Sequence, residues 1–150
     1  MKRAVIYLVC IPIDLVALLI FLALRVMYGG ELRVQHGVLI FISKKDLPNI
    51  SGITLGHAIA VDFGEDANVE LFRHEHVHVR QFEGTALAGA ALIVYLLALG
   101  LRWSVVPFAF LPWIHYYASS AAAWLGGRPL YRGNVLEEAA RGIVDHPDGV

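Results

Sequence analysis

Long apolar runs alternate along the chain with shorter segments of mixed character. The first run, residues 4–24, follows the basic pair Lys2-Arg3, is broken only by Pro12 and Asp14 and is closed by Arg25, so that the predicted helix covers residues 4–25. Its length of about 20 residues suits a helix that crosses a bilayer. A signal peptide is the alternative, but the run is longer than an ordinary signal core and no small-x-small motif follows it, so a retained anchor helix is expected. Within it, the Asp14 carboxylate must face protein or water, because lipid disfavours charge.

Short runs separated by turn residues occupy the next part of the chain, residues 31–63. Three of these runs have the composition and the period of two that are typical of β-strands: residues 32–35, 38–42 and 53–61. Glycine, proline and asparagine lie between them and mark turns. The pattern predicts a small antiparallel sheet.

Three further helical regions are predicted beyond the sheet: residues 68–83, an apolar hairpin over residues 85–125, and residues 134–143. The hairpin is long enough to pass through the membrane twice, although its first arm is near the short limit for a span. Together with the anchor and the sheet, this pattern predicts one α+β membrane domain, residues 1–150.

The composition agrees with a membrane protein and limits the partners. Hydrophobic residues make up 57% of the chain and charged residues 17%, against roughly half and a quarter in soluble domains. The net charge of −1 and the lack of a basic stripe give no indication of nucleic-acid binding. The single cysteine, Cys10, excludes an intrachain disulfide and a cysteine-based metal site. A lipid bilayer is therefore the expected partner, and the oligomeric state stays open.

The segment His74-Glu75-His76-Val77-His78 contains the motif HExxH. Residues four apart share one face of a helix, so His74 and His78 can bind a single metal ion while Glu75 reaches a water molecule beside it. A catalytic zinc site has three protein ligands and keeps one position for water. His76 projects from another face and is expected to pack or to face solvent. A third ligand must therefore come from elsewhere in the chain.

The spacing after the motif narrows the choice of third ligand. A metzincin would have glycine three residues after the second histidine and a third histidine six residues after it, where this chain has Gln81 and Gly84. A glutamate from a later helix is the alternative, and the last predicted helix offers Glu137 and Glu138. If the apolar hairpin crosses the bilayer twice, the chain returns to the face that it left, so either glutamate can reach His74.

The sequence HEHVHVRQ, the two apolar stretches after it and the helix Asn-x-x-Glu-x-x-Ala-Arg together resemble the integral-membrane gluzincins. This group of zinc peptidases contains the heat-shock membrane protease, the CaaX prenyl-protein endopeptidase and minimal single-domain relatives. The resemblance covers residues 52–141 and implies a zincin-like fold with zinc as cofactor. It also implies Glu137 as the third ligand, because Ala140 stands three places after it, as in the family. Residues 53–61 look like the family's edge strand, to which an extended peptide could add.

Some supporting residues are also candidates for the site. Gluzincins use Tyr, His or Arg to stabilise the oxyanion, and Tyr131, which is close to Glu137 in the sequence, is favoured here over His115. Arg80 and Gln81 follow the second histidine and are candidates for tying the motif helix to the last helix. A plain surface role is the alternative for both.

Two functions follow from this sequence. The favoured one is a zinc-dependent endopeptidase that hydrolyses peptides or membrane proteins near a bilayer surface, with Glu75 as the base that activates water. The alternative is a noncatalytic membrane protein that binds metal or haem as a sensor or scaffold, for which no carboxylate is needed at position 75. The expected location is a prokaryotic inner (cytoplasmic) membrane, and the distribution of Lys and Arg does not decide which side holds the site.

Overall fold

The fold is taken from a computed structural model, which describes residues 2–47, 51–62, 64, 68–102, 106–129 and 134–145. Within these residues the chain forms five helices and four strands, a mixed α+β fold. The helices are α1 (Lys2–Tyr28), α2 (Val69–Ala98), α3 (Val106–Ala109), α4 (Leu111–Leu125) and α5 (Val135–Asp145), and the strands are β1 (Gly30–Gln35), β2 (Val38–Ser43), β3 (Gly52–Leu55) and β4 (Ala58–Val61).

The chain divides into two compact units. One of them is Cys10–Val79, which contains the sheet, most of α1 and the beginning of α2. The other combines Met1–Val9 with Arg80–Val150 and contains the rest of α2 and the later helices.

In the part of the chain that the structure describes, the sheet has the strand order β1-β2-β4-β3. The pairs β1–β2 and β3–β4 are antiparallel hairpins, whereas β2 and β4 are parallel, with Leu39 opposite Ala58 and Ile42 opposite Val61. The prediction of a wholly antiparallel sheet is therefore wrong. The reason is that the second hairpin places its buried strand β4, rather than the half-buried β3, beside β2.

Residues 53–61, predicted as one strand, form two. The break lies at Gly56, whose φ of +62° suits glycine and turns the chain back on itself. Only the first half of the segment, β3, lies at an edge of the described sheet, whereas β4 is central.

The two faces of the sheet are packed against different helices of the same unit. The alternation of side chains along the strands sends one set of residues to each face. On one face, α1 contributes to a core of Ala17, Phe21, Phe41, Ala58 and Ala60. On the other face, the start of α2 contributes to a core of Val38, Ile40, Ile59, Val61 and Val79. The motif helix is thus held against the sheet by apolar packing.

Asp14 interrupts the apolar run of α1 and faces protein, as expected. Its Oδ1 accepts a hydrogen bond from the backbone N–H of His57 at 2.9 Å, and its Oδ2 lies 2.9 Å from Nδ1 of the same residue. His57 is buried in the turn between β3 and β4. The carboxylate of Asp14 therefore fastens α1 to the hairpin that contains the edge strand.

Helix α2 is one continuous helix of 30 residues and joins the predicted motif helix to the first predicted hairpin arm. The separation expected at residues 83–85 is absent from it. Thr85 lies within this helix and donates its hydroxyl back to the backbone oxygens of Gln81 and Phe82, both at 3.0 Å. The helix stops before Gly100, whose φ of +79° allows a left-handed C-terminal turn.

The second predicted arm, residues 103–125, is not a single helix. Its described part consists of the short α3 and the 15-residue α4, which begins at Leu111 with Pro112 in its first turn. Proline lacks the N–H that a continuous helix would need there. Gly89 of α2 allows close approach, because a Cβ atom at this position would lie 2.5 Å from the backbone oxygen of Phe108.

Two helices among the described residues are long and apolar enough to cross a membrane: α1 over Ala4–Tyr28, and α2. With 15 residues, α4 is shorter than the roughly 20 residues that a span requires. The described residues thus contain two helices long enough for a span, α1 and α2, but not the predicted pair of full-length hairpin arms.

Candidate metal centre

His74 and His78 project from the same face of α2. Their Nε2 atoms lie 3.1 Å apart and their rings meet edge to face, with centroids separated by 4.7 Å. Two ligand nitrogens of a tetrahedral zinc ion would be about 3.3 Å apart, given Zn–N distances of about 2.0–2.1 Å. The histidine pair therefore already has nearly the spacing that such an ion requires.

The helix that presents this pair begins with a side-chain cap. Asn68 Oδ1 accepts the backbone N–H of Leu71 at 3.0 Å, which satisfies a donor in the first turn. His76 faces away from the pair, and its Nδ1 lies 2.8 Å from the backbone oxygen of Phe72. The middle histidine is therefore bound to its own helix.

Glu75 is buried, with 3% of its surface exposed, and the edge strand contacts its carboxylate. The hydroxyl of Thr54 donates to Oε2 of Glu75 at 2.6 Å and also lies 3.1 Å from the backbone oxygen of Glu75. Gly52, on the same face of β3, leaves room for the carboxylate, because a Cβ atom there would lie 2.8 Å from Oε1. Strand β3 therefore determines where this carboxylate lies.

Glu137 lies in the first turn of α5 and is 2% exposed. The helix begins at the fully buried Asn134, whose Oδ1 accepts the N–H of Leu136 at 2.8 Å and whose backbone oxygen accepts that of Glu138 at 2.9 Å. The phenol of Tyr116 in α4 donates to Oε1 of Glu137 at 2.9 Å. The Asn134 cap of α5 and the phenol of Tyr116 thus orient the side chain of Glu137.

Gln81 connects α2 to the start of α5. Its Nε2 donates to the backbone oxygen of Leu136 at 3.0 Å, immediately before Glu137. On the continuous helix α2, Gln81 follows His78 by three residues, so the two side chains lie on adjacent turns of one face. The tying role is therefore correct for Gln81, whereas Arg80 is exposed and has a surface position.

Together, His74, His78 and Glu137 form a group that could hold a metal ion. Each offers one ligand atom, and these three atoms lie within 4.8 Å of one another. Two imidazoles and one carboxylate are a donor set found in catalytic zinc sites. Glu138, the other glutamate that the sequence left open, is half-exposed and pairs with Arg128 at 3.2 Å.

The other residues predicted for the site are Tyr131 and His115. Tyr131 lies outside the described residues. His115 is exposed on α4, next to Tyr116 in the sequence. The contacts that sequence reasoning missed are those of Thr54 and Tyr116, each of which binds a carboxylate 21 residues away. Their sequence signal is weak, a hydroxyl group in a short strand for Thr54 and one of several polar groups in a mainly apolar region for Tyr116.

Comparisons of this protein with known families, with curated proteins and with solved structures found no match. The resemblance to membrane gluzincins thus rests on the motif and on the order of the segments that follow it.

Proposed function

We propose that this protein is a zinc-dependent endopeptidase of the gluzincin type that acts at a membrane surface. The observation that carries the proposal is the position of Glu75. It is a buried carboxylate, next in sequence to one histidine of the pair, and Thr54 holds it by a short hydrogen bond. Metal storage or sensing requires the histidines but gives no reason for an oriented carboxylate beside them.

The donor set fits zinc, with His74, His78 and Glu137 as the ligands. A zinc ion held there would supply Lewis acidity that activates water and polarises a peptide carbonyl. The carboxylate of Glu75 accepts the proton that the attacking water loses and delivers it to the leaving amine. Thr54 keeps that carboxylate in one orientation throughout.

The edge strand is the proposed site for an extended peptide. In the described sheet, β3 has β4 on one side only, so its other edge can pair with a substrate backbone. The same strand contains Thr54 and Gly52, which contact Glu75. A peptide bound along β3 would therefore pass close to the base.

The membrane assignment is supported by the apolar helices. From Gln81 to Ala98, α2 extends by about 25 Å, given a rise of about 1.5 Å per residue, which is comparable with a hydrocarbon core of about 30 Å. The histidine pair lies just before this stretch. This position favours substrates that are peptides or membrane proteins with a cleavable bond near the interface.

The test is a comparison of purified wild-type protein with Glu75→Gln in detergent. We expect both to contain one zinc ion, and we expect the variant to lose activity on an unstructured protein substrate by about 100- to 10,000-fold, the usual contribution of a general base. Glu138→Gln is the matched control, because that glutamate is half-exposed and paired with Arg128. Equal proteolysis by wild type and Glu75→Gln, or wild-type protein that binds no zinc, would contradict the proposal.

A further inference from the structure

We infer that Tyr116 is a positioning residue that makes Glu137 a one-oxygen metal ligand. This inference rests on the proposed function, since it concerns the same site. Nothing in the motif points to this tyrosine, which lies in an apolar stretch between the exposed residues His115 and Tyr117.

Tyr116 makes a hydrogen bond to the side chain of Glu137, the proposed third ligand. The phenol oxygen of Tyr116 lies 2.9 Å from Oε1 of Glu137 and donates to it. Glu137 is almost fully buried, so the direction of its carboxylate is set by protein groups rather than by bulk water. Partners of this kind orient metal ligands and tune their affinity.

The backbone of Tyr116 is also held, by the side chain of Asn134. The side chain of Asn134 donates through Nδ2 to the backbone oxygen of Tyr116 at 3.2 Å and to Oγ of Ser120 at 2.8 Å. Through its Oδ1, Asn134 also caps α5, the helix that contains Glu137. One turn of α4 therefore holds both the side chain of Glu137 and the start of its helix.

The hydrogen bond from Tyr116 affects how many oxygens of Glu137 would bind a metal ion. A carboxylate can bind zinc through one oxygen or through both. Because Tyr116 donates to Oε1, one lone pair of that oxygen is engaged, and a bound ion would be held through Oε2. Binding through one oxygen would give three protein donors in total, which would preserve the open fourth position that hydrolysis needs. Without the phenol, Oε1 would also be available to the ion and would compete for that position.

The experiment compares Tyr116→Phe with Tyr117→Phe in full-length protein, using Co²⁺ as a spectroscopic probe and Zn²⁺ for affinity. Tyr117 is the matched control because it is the next residue, carries the same hydroxyl and is 70% exposed. We expect Tyr116→Phe to bind Zn²⁺ about 10- to 100-fold more weakly, in the range typical of lost ligand partners. We also expect its Co²⁺ derivative to show the weaker visible absorption of a site with more than four ligands. Tyr117→Phe should match wild type in both measurements.

Circular dichroism and thermal unfolding without metal show whether Tyr116→Phe remains folded. Wild-type affinity and spectrum in Tyr116→Phe would overturn the inference, as would equal losses in both variants. Wild-type protein that binds neither ion would overturn the inference and the proposed function together. If metal binding depends on Tyr116 but the protein has no proteolytic activity, the inference is supported and only the proposed peptidase function is contradicted.

Discussion

The hydroxyl of Thr54 lies 2.6 Å from Oε2 of Glu75 and joins the edge strand to the motif helix. This single contact connects two parts of the proposed mechanism, the strand that receives a peptide and the carboxylate that accepts a proton. A residue that was unremarkable in the sequence thus becomes the support of the proposed base, and it can be tested by substitution.

Replacing Thr54 by valine removes the hydroxyl and keeps the shape of the side chain. Hydrogen bonds to charged groups contribute about 1.5–3 kcal/mol, so we expect kcat/KM to fall by about tenfold or more while the zinc content stays unchanged. Steady-state kinetics and metal analysis measure the two effects. Thr54→Ser restores the hydroxyl and should recover most of the activity. A valine variant with wild-type kinetics would show that the contact is irrelevant to catalysis.

Gly52→Ala tests the position of the Glu75 carboxylate by placing a methyl group against it. The new Cβ atom would lie 2.8 Å from Oε1 of Glu75 and 3.0 Å from Cδ1 of Leu71, so one of these side chains must move. We expect a loss of proteolysis with zinc binding retained. Gly84→Ala is the control, since no described atom lies within 4 Å of its added Cβ and alanine favours a helix over glycine by about 1 kcal/mol. Full activity in both variants would mean that the carboxylate of Glu75 does not lie against Gly52 of β3.

Glu137→Gln and Glu138→Gln separate the two glutamates that the sequence offers. Glu137 is buried and belongs to the group with the histidines, whereas Glu138 pairs with Arg128 at the surface. A catalytic zinc site with only two protein ligands is incomplete. We therefore expect the first variant to lose its zinc on dialysis and the second to keep it. Retention of zinc by Glu137→Gln, with loss from Glu138→Gln, would reverse the assignment.

Asp14→Ala is expected to destabilise the protein without changing the metal donors. The substitution removes the acceptor of the buried N–H of His57, and a buried group that loses its partner costs about 1–3 kcal/mol. Thermal unfolding in detergent should show a lower midpoint. Asp14→Asn keeps an acceptor oxygen and should be affected less. An alanine variant as stable as wild type would mean that this contact does not hold α1 to the hairpin.

Much of the local structure follows from the sequence, because the signals are themselves local. The first helix, the histidine pair on one helix face and the final helix with Asn134 at its start agree with the structure. The choice between Glu137 and Glu138 came from the family resemblance, and the surface ion pair of Glu138 agrees with it.

What the sequence could not predict depends on contacts between distant segments. The parallel pairing of β2 with β4 follows from which strand of the second hairpin is buried, and both hairpin strands carry similar residues. The continuity of α2 through Gly84 depends on backbone hydrogen bonds that outweigh one weak helix former. Thr54 and Tyr116 are recognisable only when the carboxylates that they contact are in place.

One helix, α2, contains both the histidine pair and the apolar stretch that ends at Ala98. If that stretch is embedded in lipid, the depth of embedding would set the height of the proposed metal site above the hydrocarbon. The proposed peptidase would then cleave only bonds at one distance from the bilayer. Lengthening α2 by a full turn would be expected to shift the proposed cleavage site along a membrane-anchored substrate rather than to abolish cleavage.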